Sequence, residues 1–227
     1  MTASADVFTP ARQRGFMVHA GAALCLLAGG GLSGWLAFQQ EQGYTLILYL
    51  LLALALLIPL PGIVYRLHGL AYSSYTLTRD GLMLRWGLRG EDISLPDIEW
   101  ISPLQSVPFV LPLPPLYNSG VLIGSYPVRD FGRVEYLATD VSQLLLISTG
   151  DVCYAISPDD TEAFMAAYEN AVEEGSVAPL EAQSIRPTTI LWGMWNDPVA
   201  RILLLGGFTL ALILLVVSSL VIPTREV

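Results

Sequence analysis

Lysine is absent from the 227 residues, and all eleven basic side chains are arginines. Without a side-chain amine, Schiff-base chemistry, the phosphate-gripping lysine of a P-loop and a Ser-Lys dyad are all excluded. Histidine is nearly as scarce: His19 and His68 stand far apart, with no partner at HExxH spacing, and read as packing or interfacial residues. Cys25 lies in an apolar run and Cys153 in a predicted strand, which argues against a structural disulfide and for a reducing compartment. Charge is sparse too, at 14% of residues against 53% hydrophobic, a balance too apolar for an ordinary soluble chain. No catalytic residue, cofactor motif or metal set stands out. A net charge of −9 offers no basic footprint for nucleic acid, and no specific small molecule is indicated.

What the chain does have is three long apolar runs, at 16–38, 44–64 and 202–222, each free of Asp, Glu, Lys and Arg. As helices rising about 1.5 Å per residue, each covers a hydrocarbon core of roughly 30 Å. The first is too long for a signal-peptide core and a second follows at once, so it reads as a retained anchor. Gly30 and Gly34 stand at GxxxG spacing. That spacing suits close packing on the second span or a dimer face. Pro59 and Pro61 predict a kink or an end in the second run. Trp35, Tyr44, Tyr65, Trp192 and Trp195 sit near run ends, where amphipathic rings favour the headgroup zone.

Arg12 and Arg14 precede the first run and Arg66, Arg79, Arg85 and Arg89 follow the second, while the connector between them carries no basic residue. The positive-inside rule then places the N-terminus and the central domain in the cytoplasm of a multi-pass bacterial membrane protein, with Arg225 as a mild dissent. The expected organisation is a tail at 1–15, a helical hairpin at 16–64, a domain at 65–178, a linker and interfacial segment at 179–198, a third span at 199–222 and a short tail at 223–227.

Within the domain the apolar pattern turns to alternation. Tyr75 and Leu77 precede an Asp80-Gly81 turn, and Leu82, Leu84 and Trp86 follow it, which predicts a hairpin. A second turn is expected at Gly90 to Asp92, then a short strand pair interrupted by Pro96. Three further strands are expected in VEYLAT, QLLLIS and VCYAIS, giving a sandwich or open barrel. An amphipathic helix closes the series: Ser157 as cap, Pro158 in the first turn, a stripe of Phe164, Tyr168, Ala171 and Val172, and Gly175 as terminator. Strands closed by one helix make the pleckstrin-homology topology. On YTLTRDGLMLRWG, FGRVEYLAT and above all YAISPDDTEAFMAAY, the chain resembles the bacterial PH-like domains of small membrane proteins. The resemblance implies a membrane α+β protein, three spans plus a PH-like domain, with no catalytic residues.

Two candidate surfaces follow. Arg79, Arg85 and Arg89 are the only cations near the first hairpin that a lipid phosphate would meet. Residues 65–198 hold seven arginines against nine aspartates and eight glutamates, a net −10. That acidity opposes an anionic leaflet. The uncharged stretch Pro103 to Gly120 carries five prolines and the apolar residues Phe109, Val110, Leu111, Leu113 and Leu116. It is either a lip that touches membrane or a partner, or a cover over the domain's own core. The reading favoured is a non-enzymatic interaction or scaffolding module that binds a protein or a second copy of itself. The alternatives are an accessory subunit of a transporter or envelope complex, or a lipid sensor.

Overall fold

The computed structural model describes residues 5–40, 43–108, 111–114, 117–128, 132–150, 152–175 and 180–186. The chain divides into two units, one of Met1–Ala20 with Tyr65–Arg186 and one of Gly21–Val64 with Pro187–Val227.

In the second unit, helix α1 (Gln13–Phe38) continues from Gly21, and α2 (Tyr44–Leu57) leads to the start of α3 (Leu60–Ala71). Gln13–Phe38 and Tyr44–Ala71 are long and apolar enough to cross a membrane by length and composition. The expected third span at 199–222 lies outside the described residues. The helix breaks at Ile58-Pro59, as the prolines predict, because Pro59 has no N–H to give the preceding turn. A methyl group on Gly30 would come within 2.9 Å of Leu57 Cδ2 and 3.6 Å of the Ala53 carbonyl oxygen. Gly30 therefore serves packing of the first apolar helix on the second within one chain, while Gly34 faces open space.

Among the described residues the first unit holds two five-stranded sheets. The first is antiparallel, in the order β1 (Asp6–Phe8), β2 (Ser74–Thr78), β3 (Gly81–Trp86), β4 (Arg89–Ser94) and β10 (Gln183–Ile185). The second runs β5 (Trp100–Pro103), β8 (Leu145–Ser148), β9 (Val152–Ile156), β7 (Gly132–Ala138) and β6 (Leu122–Val128), with β7 and β9 parallel. Leu77, Leu84 and Trp86 of the first sheet share one core with Leu137, Ile147 and Ile156 of the second, and α4 (Thr161–Glu174) contributes Phe164 and Ala171. Tyr75 ties the sheets together, donating from its hydroxyl to the Leu137 carbonyl at 2.6 Å, so its buried polar atom is satisfied.

The expected β2-β3 hairpin and the last three strands form as read, but several expectations change. The second tight turn falls at Gly87, whose φ of 59° suits glycine, and Gly90 to Asp92 lie inside β4. Ser157 is not the helix cap. Its buried hydroxyl accepts from the Thr139 amide at 2.7 Å, while Asp160 caps α4 by accepting from Ala163 N at 2.8 Å. Phe164 is fully buried, whereas Val172 is 50% exposed and leaves the apolar stripe. Gly175, at φ 69°, ends the helix as expected.

The largest revision concerns boundaries. Residues 6–8, expected in a tail, form edge strand β1, and Phe8 meets Phe164 edge-on at 5.2 Å. Residues 183–185, expected in a linker, form the opposite edge β10. The start of α1 also packs into this unit, since a methyl on Gly15 would fall 2.5 Å from the Gly120 carbonyl oxygen. Gly69 near the end of α3 is pressed as closely on Trp86, with 2.6 Å from its Cβ position to Nε1. These contacts demand glycine.

Candidate functional site

The three hairpin arginines are engaged inside the fold. Arg79 donates to the Gly175 carbonyl from Nε at 3.2 Å and from Nη2 at 2.9 Å, and to the Glu174 carbonyl at 3.3 Å. It satisfies the open carbonyls at the C-terminus of α4, where a cation also complements the helix dipole. Arg85 is paired with Asp92 on the neighbouring strand. Arg89 lies deeper. It donates to Glu91 Oε1 from Nε at 3.0 Å and from Nη2 at 2.8 Å, and from Nη2 to Glu135 Oε2 at 2.5 Å.

Arg89 is the centre of a buried ion cluster with Glu91 and Glu135. Glu91 and Glu135 are 2% and 1% exposed. Glu91 stands opposite Leu84, and Glu135 opposite Tyr154 and Ser125, so both carboxylates face the interior between the sheets. Ser125 Oγ donates to Glu135 Oε1 at 3.0 Å, and Arg133 Nε lies 2.8 Å from the same oxygen. From beyond β10, Arg186 donates to Glu135 Oε1 at 3.3 Å and lies 3.6 Å from Glu91 Oε1. Two carboxylates thus share three guanidinium groups, and the set ties β4, β7 and the end of β10 into one piece.

The electrostatics follow from that geometry. Burial disfavours the Glu135 carboxylate, but the charge and hydrogen bond of Arg89, with Arg186 and Ser125, outweigh it and hold its pKa below the ordinary value. For Arg89 burial likewise opposes charge, and the two glutamates overcome it and raise its pKa. The phenol of Tyr154 is pushed up to about 12 by burial and then by Glu91 and Glu135. What the arrangement provides is charge pairing across the sandwich. The signal in the sequence was the repeated Arg-x-Glu at 89–91 and 133–135, which in strands places both charges of each pair on one face.

The proline-rich segment takes the covering role where it is described. Leu111 is 6% exposed and joins a second core with Leu122, Val134, Tyr136, Leu144 and Leu146, against which Leu104, Val107 and Leu113 also pack. Tyr136 donates to the Pro112 carbonyl at 3.0 Å. Leu111 therefore packs inward, because the outer face of the second sheet is apolar and must be covered. Phe109, Val110 and Leu116 lie outside the described residues. Open clefts are also present among the described residues of this unit. One, of about 440 Å³, is lined by Asp92, Ile93, Pro96, Asp97, Glu99 and Tyr154 among others. Another, of about 560 Å³, lies along Thr9 to Arg14 with Thr139, Asp140 and Asp159. Among the described residues no group of three His, Cys, Asp or Glu side chains is placed to hold a metal.

Residues 73–172 match the family model described as a bacterial PH domain, and the chain carries a bacterial PH-like domain over that stretch. Comparison with curated proteins and with solved structures returned no match. A domain of this kind suggests a module for protein or lipid interaction, and the match stops short of both β1 and β10.

Proposed function

We propose that this chain is a membrane-anchored scaffolding module whose PH-like domain engages protein, a partner or a second copy of itself, rather than lipid headgroups. One observation carries the reading: Arg79, Arg85 and Arg89, the cations nearest the first hairpin, are committed to a helix end, to Asp92 and to a buried pair of glutamates. A phosphate site needs several donors converging on one point. Freeing Arg89 for such a site would leave two buried carboxylates short of their central cation. The domain's net charge of −10 over residues 65–198 adds repulsion from an anionic leaflet.

Vesicle flotation tests this on a soluble variant in which a Gly-Ser linker replaces 21–64 and the chain stops at 186. Little flotation is expected with phosphatidylcholine vesicles, with or without phosphatidylglycerol. Salt-sensitive flotation that is lost in Arg79→Ala or Arg85→Ala would restore the lipid-sensor alternative.

The same proposal sets the domain on the cytoplasmic side, from the arginines that flank the first two apolar runs. Asn118 is exposed in the structure. A single cysteine placed there is expected to resist a membrane-impermeant thiol reagent in whole cells, and ready labelling would invert the orientation.

A further inference from the structure

The edge of β4 is filled by a segment whose paired side chains stay in solvent. Gln183, Ser184 and Ile185 pair with Asp92, Glu91 and Gly90, yet all three are exposed, with Ile185 at 49%. Their side chains bury little, so removing them leaves both cores closed. The segment is held at its two ends. Leu180 N donates to the Asp80 carbonyl at 3.1 Å, and Arg186 reaches Glu135 at 3.3 Å and Glu91 at 3.6 Å. Residues 180–186 are a strap fastened by one backbone bond, the Leu180 side chain against Gly81, three strand pairs and one guanidinium.

We propose that the β4 edge is a strand-accepting interaction surface, filled in a single chain by residues 180–186 and, between two chains, by the same residues of a second copy. Charge selects the occupant. An open β4 edge presents the unpaired backbone of Gly90 to Asp92, a template for any extended strand. A strand that also fits must carry a cation just past its paired residues, to restore the third guanidinium beside Glu91 and Glu135. The chain's own Gln-Ser-Ile-Arg meets both demands. Exchange makes the same contacts in trans as in cis, which is why it is a low-cost route to a dimer. Confinement of two copies to one membrane raises the effective concentration of each strap for its neighbour. This inference rests on the self-association form of the function proposed above.

The test uses the full chain in its membrane. Gln183 and Asp92 stand directly opposite each other. One copy carries Gln183→Cys and a differently tagged copy carries Asp92→Cys, both with Cys25→Ser. Native Cys153 is fully buried, its thiol pushed up to about 12 by burial, and stays silent. On mild oxidation of co-expressed copies a dimer-sized band bearing both tags is expected, and Arg186→Gln is expected to cut its yield several-fold. If no mixed band forms and only a chain carrying both Gln183→Cys and Asp92→Cys reacts, within itself, while light scattering in detergent shows a wild-type dimer, the edge assignment is overturned and self-association stands. A monomer by scattering with no mixed band overturns both. A mixed band indifferent to Arg186→Gln overturns the role of the ion cluster in selecting the strand.

Discussion

The two sheets of the PH-like unit are built in opposite ways. All five strands of the second come from one stretch, 100–156, and its central strands are buried on both faces, as in the consecutive buried residues Leu145 to Ser148. The first draws on three separate stretches, 6–8, 74–94 and 183–185, and β2 alternates between buried and half-buried positions. Its edge strands are three residues each. β1 ends five residues before α1 begins, and β10 precedes the apolar run that starts at Ile202. A contiguous sheet closed on both faces holds itself together. A sheet completed by the chain on either side of the apolar helices is completed only when those segments come home, and it is the part of the domain that answers to what happens to them.

The strongest test of that contrast removes the side chain on which the borrowed edge leans. Phe164 is fully buried between the sheets and also receives Phe8 of β1. Phe164→Ala is expected to destabilise the unit by about 3 to 5 kcal/mol, the usual cost of a lost buried aromatic ring and the cavity it leaves. Glu173→Ala, on the exposed face of α4, is expected to change little. Pulse proteolysis of the full chain in detergent across a urea series measures both. The contrast between the sheets is sharpened if backbone exchange in Phe164→Ala rises in β1 and β2 before it rises in β8 and β9. Equal urea midpoints for the two variants would break it.

The contrast also explains what could be read from the residues and what could not. The β2-β3 hairpin was legible because its alternation runs over several positions on each side of an Asp-Gly turn. α4 was legible from its stripe and from Gly175, although its cap was misplaced: Ser157 and Asp160 are both good caps, and only the register of β9 against β7 decides that Ser157 is needed by Thr139. β1 and β10 were illegible because three residues cannot show a period of two, and because their pairing partners lie more than 65 positions away. The ion cluster was half legible. Arg-x-Glu in a strand signals a shared face, but polar pairs on strands ordinarily point to water, and only the closure of one sheet on the other turns this face inward. For the proline-rich stretch, composition left cover and lip open, and Leu111 resolves its own position by packing on the outer face of the second sheet.

The mildest perturbation acts where the two sheets are joined by charge. Glu135 of β7 faces Arg89 and Glu91 of β4, Arg133 of its own strand, Ser125 of β6, Tyr154 of β9 and Arg186 beyond β10. Its folded-state pKa is held below the ordinary glutamate value of about 4.3. A carboxyl of lowered pKa contributes stability that is fully present above the unfolded-state value and is lost as pH falls through the folded-state value. The wild-type chain is therefore expected to lose stability on acidification from about pH 4.3 downward. Glu135→Gln, weaker at neutral pH because three guanidinium groups then face one carboxylate, is expected to show a flatter profile in the same window. Urea midpoints for both chains between neutral and acid pH give the difference curve, in which other titrating carboxylates cancel. A difference that shrinks as pH falls sharpens the view that charge joins the borrowed sheet to the self-sufficient one, whereas parallel profiles would assign that join to Tyr75 and the shared apolar core alone.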